Sequence, residues 1–169
     1  MNQTAMTYQQ IAKGFAQLLE RELGEQLTSV VLYGSVARGD ASQDSDIDLL
    51  IVVNATSREE KKAIKKRVLD LCIDFETSGP LAALFEQGQW TNIEYQIYTR
   101  EEALRTHLFY LDMTQDAVLL FDQEGFFAAK LDRVRQRMEE LGTRREYFED
   151  GCWYWILKAD MKPGEEIEL

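Results

Sequence analysis

Asp46-Ile47-Asp48 opens an apolar run, Leu49 to Val53, that reads as a β-strand. Residues two apart on a strand share a face, so both carboxylates project together. Like charges that close repel unless a cation lies between them, and an all-oxygen donor set favours Mg²⁺. Mg²⁺ in turn takes one or two carboxylates together with substrate phosphate oxygens. With ten residues between it and Asp46, Gly34-Ser35 abruptly ends a β-rich run from Thr28 to Tyr33. Gly34 permits close backbone approach to a ligand, and Ser35 adds a hydroxyl donor. These residue types at this spacing point to metal-assisted phosphate chemistry on a nucleoside triphosphate.

The full string, G-S-V-A-R-G-D from Gly34 followed by S-D-I-D-L from Ser45, resembles the signature of the DNA polymerase β-type nucleotidyltransferase superfamily. It is most similar to the minimal nucleotidyltransferase branch. The resemblance implies a Mg²⁺-dependent transfer of NMP, AMP from ATP by preference, to a hydroxyl acceptor. Two Mg²⁺ ions would be held by Asp46 and Asp48. The β and γ phosphates would lie on Ser35 and the backbone around Gly34, in a turn of the anion-nest kind, with Arg38 reaching the same phosphates. The superfamily supplies a third carboxylate from a neighbouring strand, which ligates metal and draws the acceptor's proton. On the run Asn92 to Tyr98 the only acid is Glu94, where Asp is commoner, and its register against Asp46 and Asp48 is not legible. The implied partner is a HEPN-domain protein, as in toxin–antitoxin pairs where the nucleotidyltransferase modifies a toxin tyrosine. The alternative is a non-catalytic module that binds a nucleotide or neutralises a partner stoichiometrically.

Positioning these groups requires a scaffold, and the patterning supplies one. Thr7 and Gln10 form a capping box ahead of Ile11, Phe15, Leu18, Leu19 and Leu23, with Gly24 as a stop. The strand beginning at Asp46 is apolar nearly throughout, which places it centrally with both faces covered. Ser57 and Glu60 make a second capping box before Ile64, Val68 and Leu71, and Thr99 with Glu102 announces another helix. Alternation of Ile93, Tyr95 and Ile97 marks a strand with one buried face. A short strand at Ala117–Phe121, an amphipathic helix from Phe126 to Leu141, and an aromatic hairpin around Asp150-Gly151 follow. The first two strands are joined by a loop too short for a crossover, so they are expected to be antiparallel. The fold class is α/β (α+β): a small mixed sheet backed by helices, a nucleotidyltransferase fold with a C-terminal β-α-hairpin extension. Residues 1–105 are expected to form the core, with 106–169 packed on the same domain.

Composition narrows the partners. The chain has 169 residues, 45% of them hydrophobic, enough for one domain with a real core. With 19 Lys and Arg against 30 Asp and Glu, the net charge is −11, which repels extended nucleic acid and anionic membrane. No segment is long and apolar enough to span a bilayer and no leader pattern occurs in Met1 to Gln10, so the chain reads as soluble and cytoplasmic. Only two prolines, Pro80 and Pro163, punctuate it. Cys72 and Cys152 make no disulfide framework, and one histidine, His107, is too few for a zinc site. Cys72 reads as a core thiol, His107 as structural, Asp40 and Asp44 as turn residues, and the Lys61–Arg67 face as solvated. Ser45 either caps its loop or touches phosphate. Trp153, Tyr154 and Trp155 either close a small core or stack on a base. Acceptor, base preference and oligomeric state, a homo-oligomer included, stay open.

Overall fold

The computed structural model describes residues 7–86, 88, 91–162, 164, 165 and 167; residues 1–6, on which the leader expectation falls, and Pro163 lie outside these. Helix α1 (Tyr8–Leu23) starts at Thr7 with the capping box closed in both directions, at 3.3 and 2.8 Å. It buries Ile11, Phe15, Leu19 and Leu23. Strand β1 (Leu27–Tyr33) runs into α2 (Gly34–Arg38), a short helix where the spacing had indicated a turn. Then come β2 (Ile47–Val53), α3 (Arg58–Ser78), α4 (Pro80–Glu86), β3 (Ile93–Thr99) and α5 (Arg100–Leu104). The remainder is α6 (Tyr110–Asp116), β4 (Val118–Asp122), α7 (Phe126–Leu141) and a hairpin of β5 (Arg144–Tyr147) and β6 (Trp153–Ile156). The expected order holds, with α2, α4 and α6 added. At five to seven residues these helices are too short to display a 3.6-residue period.

Two of the three capping boxes are complete. The third is half formed: Glu60 N donates to Ser57 Oγ at 3.1 Å, but the Glu60 carboxylate accepts from Thr56 N and Oγ1 at 2.8 and 2.9 Å instead of from Ser57. Thr56 offers two donors to one carboxylate, which outweighs a single backbone N–H.

The main sheet has the order β3-β2-β1-β4. β1 is antiparallel to β2 and β4, as its short connection to β2 requires, while β2 and β3 are parallel and joined through α3 and α4. Leu49 to Val53 are completely buried. Each such side chain contributes about 2 kcal/mol of hydrophobic stabilisation. Leu49, Ile51 and Val53 share one core cluster with Phe15 of α1, Val68 of α3 and Leu81 of α4. Leu50 and Val52 face the other way, against Ala103, Tyr110, Met113 and Phe127. β4, which closes the sheet beside β1, comes from beyond residue 105. The hairpin docks through Trp155 onto a small cluster of Leu111, Val134 and Met138. No described helix is long and apolar enough to cross a membrane.

Candidate active site

Asp48 stands at the mouth of the buried central strand, and the strand pairing decides its neighbours. It lies opposite Tyr33 of β1 and Glu94 of β3 in register. Tyr33, Asp48 and Glu94 therefore form one row across three strands, on the face that also carries Leu50 and Val52. Asp46, two residues before Asp48, extends the acidic group. Burial, reinforced by Glu94 and then Asp46, holds the Asp48 carboxyl above the usual aspartate range, and Arg38 pulls it back down. Burial also pushes the Tyr33 phenol up to about 12, with Asp48 adding to the effect.

Among the described residues, neither Asp46, Asp48 nor Glu94 takes part in a hydrogen bond or ion pair with another side chain. An acidic group left unneutralised at the edge of a core is costly, and a divalent cation with oxygen ligands is the partner its chemistry fits. As the side chains stand, no group of three or more His, Cys, Asp or Glu among the described residues meets ligating geometry.

Gly34 is the hinge between β1 and α2. Its φ is +71°, and a Cβ built there would lie 2.2 Å from Asp48 Oδ2. Glycine is required twice over: for the left-handed backbone and for the space the Asp48 carboxylate occupies. Gly34→Ala should therefore destabilise the chain by about 1–3 kcal/mol in urea unfolding. Gly39→Ala is the matched control, since Gly39 also has positive φ (+83°) but nothing within 4 Å of a Cβ. Equal losses for the two would show that contact with Asp48 contributes nothing.

Ser35 is the second residue of α2, and its carbonyl accepts from Gly39 N and Asp40 N at 3.0 and 3.1 Å. Arg38 closes that helix with its side chain only 24% exposed. Its Nε donates to Asp40 Oδ2 at 3.1 Å, so Asp40 serves as an arginine partner. Ser45 is engaged in its loop: its Oγ accepts from Ser42 N at 2.8 Å, and its carbonyl accepts from Thr91 Oγ1 at 2.8 Å. The end of the loop before Asp46 is thereby tied to Ser42 within the loop and to Thr91 outside it.

Several supporting residues escaped the sequence reading. Gln9 Nε2 donates to Val36 O at 3.1 Å and Tyr8 Oη to Gln43 O at 2.7 Å, so α1 braces both α2 and the loop. Tyr33 was read only as the end of a strand, although its pairing sets it beside Asp48. No local pattern signals these contacts, because each joins segments far apart in the chain. His107 stacks on Tyr98 at 4.7 Å within an aromatic cluster, a structural role. Burial pushes the Cys72 thiol up to about 12, in keeping with an unreactive core position. On the basic face of α3, Lys61 pairs with Glu102, Lys66 with Asp70 and Arg67 with Glu22.

Residues 11–96, about half of the 169-residue chain, match the family described as "Nucleotidyltransferase domain". The chain belongs to the nucleotidyltransferase domain family. The matched span contains Gly34, Ser35, Arg38, Ser45, Asp46, Asp48 and Glu94, and ends before the hairpin. Two relatives from Methanocaldococcus jannaschii align with parts of this chain. "Putative protein adenylyltransferase MJ0141" is 41% identical over 58 residues, 33% of this chain and 59% of the relative. "Putative protein adenylyltransferase MJ1305" is 36% identical over 62 residues, 36% of this chain and 41% of the relative. In both, the chain spans less than two thirds of the relative's length. Weaker likeness extends to solved structures. A toxin–antitoxin structure with AMP-PNP covers 77% of this chain and 92% of its own at 13% identity, with a TM-score of 0.43. The toxin–antitoxin MntA-HepT covers 79% and 92% at 12% identity, with a TM-score of 0.39.

Proposed function

We propose that this nucleotidyltransferase moves AMP from ATP to a hydroxyl on a partner protein. The observation that carries the proposal is the in-register placement of Glu94 beside Asp48, with Asp46 just before the first residue of β2 and Gly34 packed against the Asp48 carboxylate. Asp46, Asp48 and Glu94 would hold two Mg²⁺ ions, which when bound supply charge neutralisation to the triphosphate and to the attacking oxygen. The Ser35 hydroxyl and the backbone around Gly34 donate to the β and γ phosphates, and Arg38 adds its guanidinium to the same oxygens. Ser45 contributes through the loop, by fixing the approach to Asp46. Glu94 accepts the proton of the acceptor hydroxyl as its oxygen bonds to the α-phosphorus and pyrophosphate departs. Such a displacement is mostly positioning and charge neutralisation, so the lone histidine is not needed.

A protein acceptor fits the names of the two aligned relatives and the net charge of −11, which disfavours long RNA. The resemblance carried by Gly34–Asp40 and Ser45–Leu49 makes a HEPN-domain protein the first acceptor to try. The test incubates the chain with Mg²⁺, each of four α-³²P-labelled NTPs, and lysate of the source cell or the candidate acceptor. Label from ATP should enter a protein band, EDTA should abolish it, and Asp46→Asn should lower it at least about tenfold. Tight Mg²⁺-NTP binding without transfer or pyrophosphate release would instead identify a stoichiometric binding module.

A further inference from the structure

The aromatic hairpin lies outside the family match, yet it reaches back to the candidate site. Arg38 Cζ sits 5.0 Å from the centroid of the Trp153 ring on β6. Stacking of this kind fixes the plane of a guanidinium through its π face and leaves its N–H edges free. Only Nε of Arg38 is occupied, by Asp40; among the described residues its two Nη groups have no hydrogen-bond partner. The Trp153 ring is itself held firmly. Its Nε1 donates to Asp112 Oδ1 at 2.9 Å, and Arg145 Cζ lies 4.7 Å from the same ring. Asp112 also accepts from Trp155 Nε1 at 3.1 Å and Arg145 Nη2 at 3.0 Å, which locks β5 and β6 onto α6. An exposed arginine with several rotatable bonds loses much conformational entropy when it grips a ligand, and a flat anchor reduces that loss.

We propose that Trp153 is a positioning residue of the nucleotide site: its indole face holds the Arg38 guanidinium with the Nη edge free for the triphosphate. The C-terminal hairpin thereby sets affinity for the β and γ phosphates, and Trp153 is not free to stack on a base. The proposal rests on Arg38 as a phosphate donor, so its test must separate the two.

Isothermal titration of the full chain with Mg²⁺ and α,β-methylene-ATP, whose α–β bridge resists cleavage, measures affinity without turnover. AMP, which lacks the β and γ phosphates, is the comparator. Trp153→Leu should weaken analogue binding about fivefold and Trp153→Phe, which keeps a ring face, less than about twofold. AMP binding should not change. Trp155→Leu disturbs the same Asp112 anchor without touching Arg38 and should leave analogue affinity intact. On an Arg38→Ala background, Trp153→Leu should add no further loss. Unchanged affinity in Trp153→Leu, an equal loss in Trp155→Leu, or additive losses in the double variant would overturn the role of Trp153 while Arg38 keeps its own. No loss in Arg38→Ala would remove the phosphate donor and the proposal with it. A second measurement needs no loss of Trp153. The chain has three tryptophans, and replacing Trp90 and Trp155 by Phe leaves Trp153 as sole indole. Its emission should change on adding the analogue, and should not when Arg38 is Ala; constant emission in the Arg38 protein would contradict the proposal.

Discussion

Asp48→Asn is expected to reduce label transfer on the order of a thousandfold, and at the same time to make the ligand-free chain more resistant to urea at neutral pH. Both effects come from one placement. The carboxylate is carried into the rim of the core by a strand whose next five residues are completely buried, and it faces Glu94 in register. Burial and those acidic neighbours raise its pKa in the folded chain above the value it has when unfolded. The folded state therefore binds the Asp48 proton more tightly than the unfolded state does. The stability this provides is fully present below the unfolded pKa and is lost as pH rises through the folded one, leaving a net cost at pH 7. Asparagine carries no charge and is free of that cost. Urea unfolding of both proteins between pH 3 and 7 checks the sign: the variant's advantage should grow with pH. Mg²⁺ should stabilise the parent chain and leave the variant unmoved. A variant no more stable than the parent at pH 7 would mean that Asp48 is not the strained group described here.

Glu94→Gln separates chemistry from binding. Gln keeps the shape and one carbonyl oxygen but cannot take a proton, so turnover should fall at least about a hundredfold while ATP affinity changes less than about threefold. The split is expected because Asp46, Asp48, Ser35 and Arg38 remain to hold the nucleotide. Glu94→Asp, which keeps the carboxylate one methylene shorter, should keep part of the activity. Single-turnover assays with α-labelled ATP and calorimetry of the same samples give the two quantities. Normal turnover in Glu94→Gln would strike Glu94 from the site, and a parallel collapse of affinity would make it chiefly a binding residue.

The acids, the glycine and the arginine announce themselves because their spacing is local. Gly34-Ser35 and Asp46-x-Asp48 are two ends of one short connection between adjacent strands. The run Leu49 to Val53 declares a central strand by being apolar on both faces, and Thr7 with Gln10 and Thr99 with Glu102 declare helix starts through contacts three residues apart. Ser57 with Glu60 misled in part, since Thr56 competes for the same carboxylate. Register between β2 and β3 has no such local sign. Those strands are parallel and separated by α3 and α4, and a slip of one residue would turn Glu94 to the opposite face. Packing of Ile93 and Ile97 into the α3 side of the core selects the register that sets Glu94 beside Asp48.

From its sequence alone, then, this chain declares a connection between two antiparallel strands that opens on Gly34-Ser35 and ends on Asp46 and Asp48, because backbone geometry and side-chain periodicity act over a few residues. Only the folded molecule decides that Glu94 joins Asp48, that α1 braces the Gly34 turn through Gln9 and Tyr8, and that Trp153 from the far hairpin supports Arg38. Those contacts depend on which surfaces meet when the sheet buries both faces, and that is a property of the whole core.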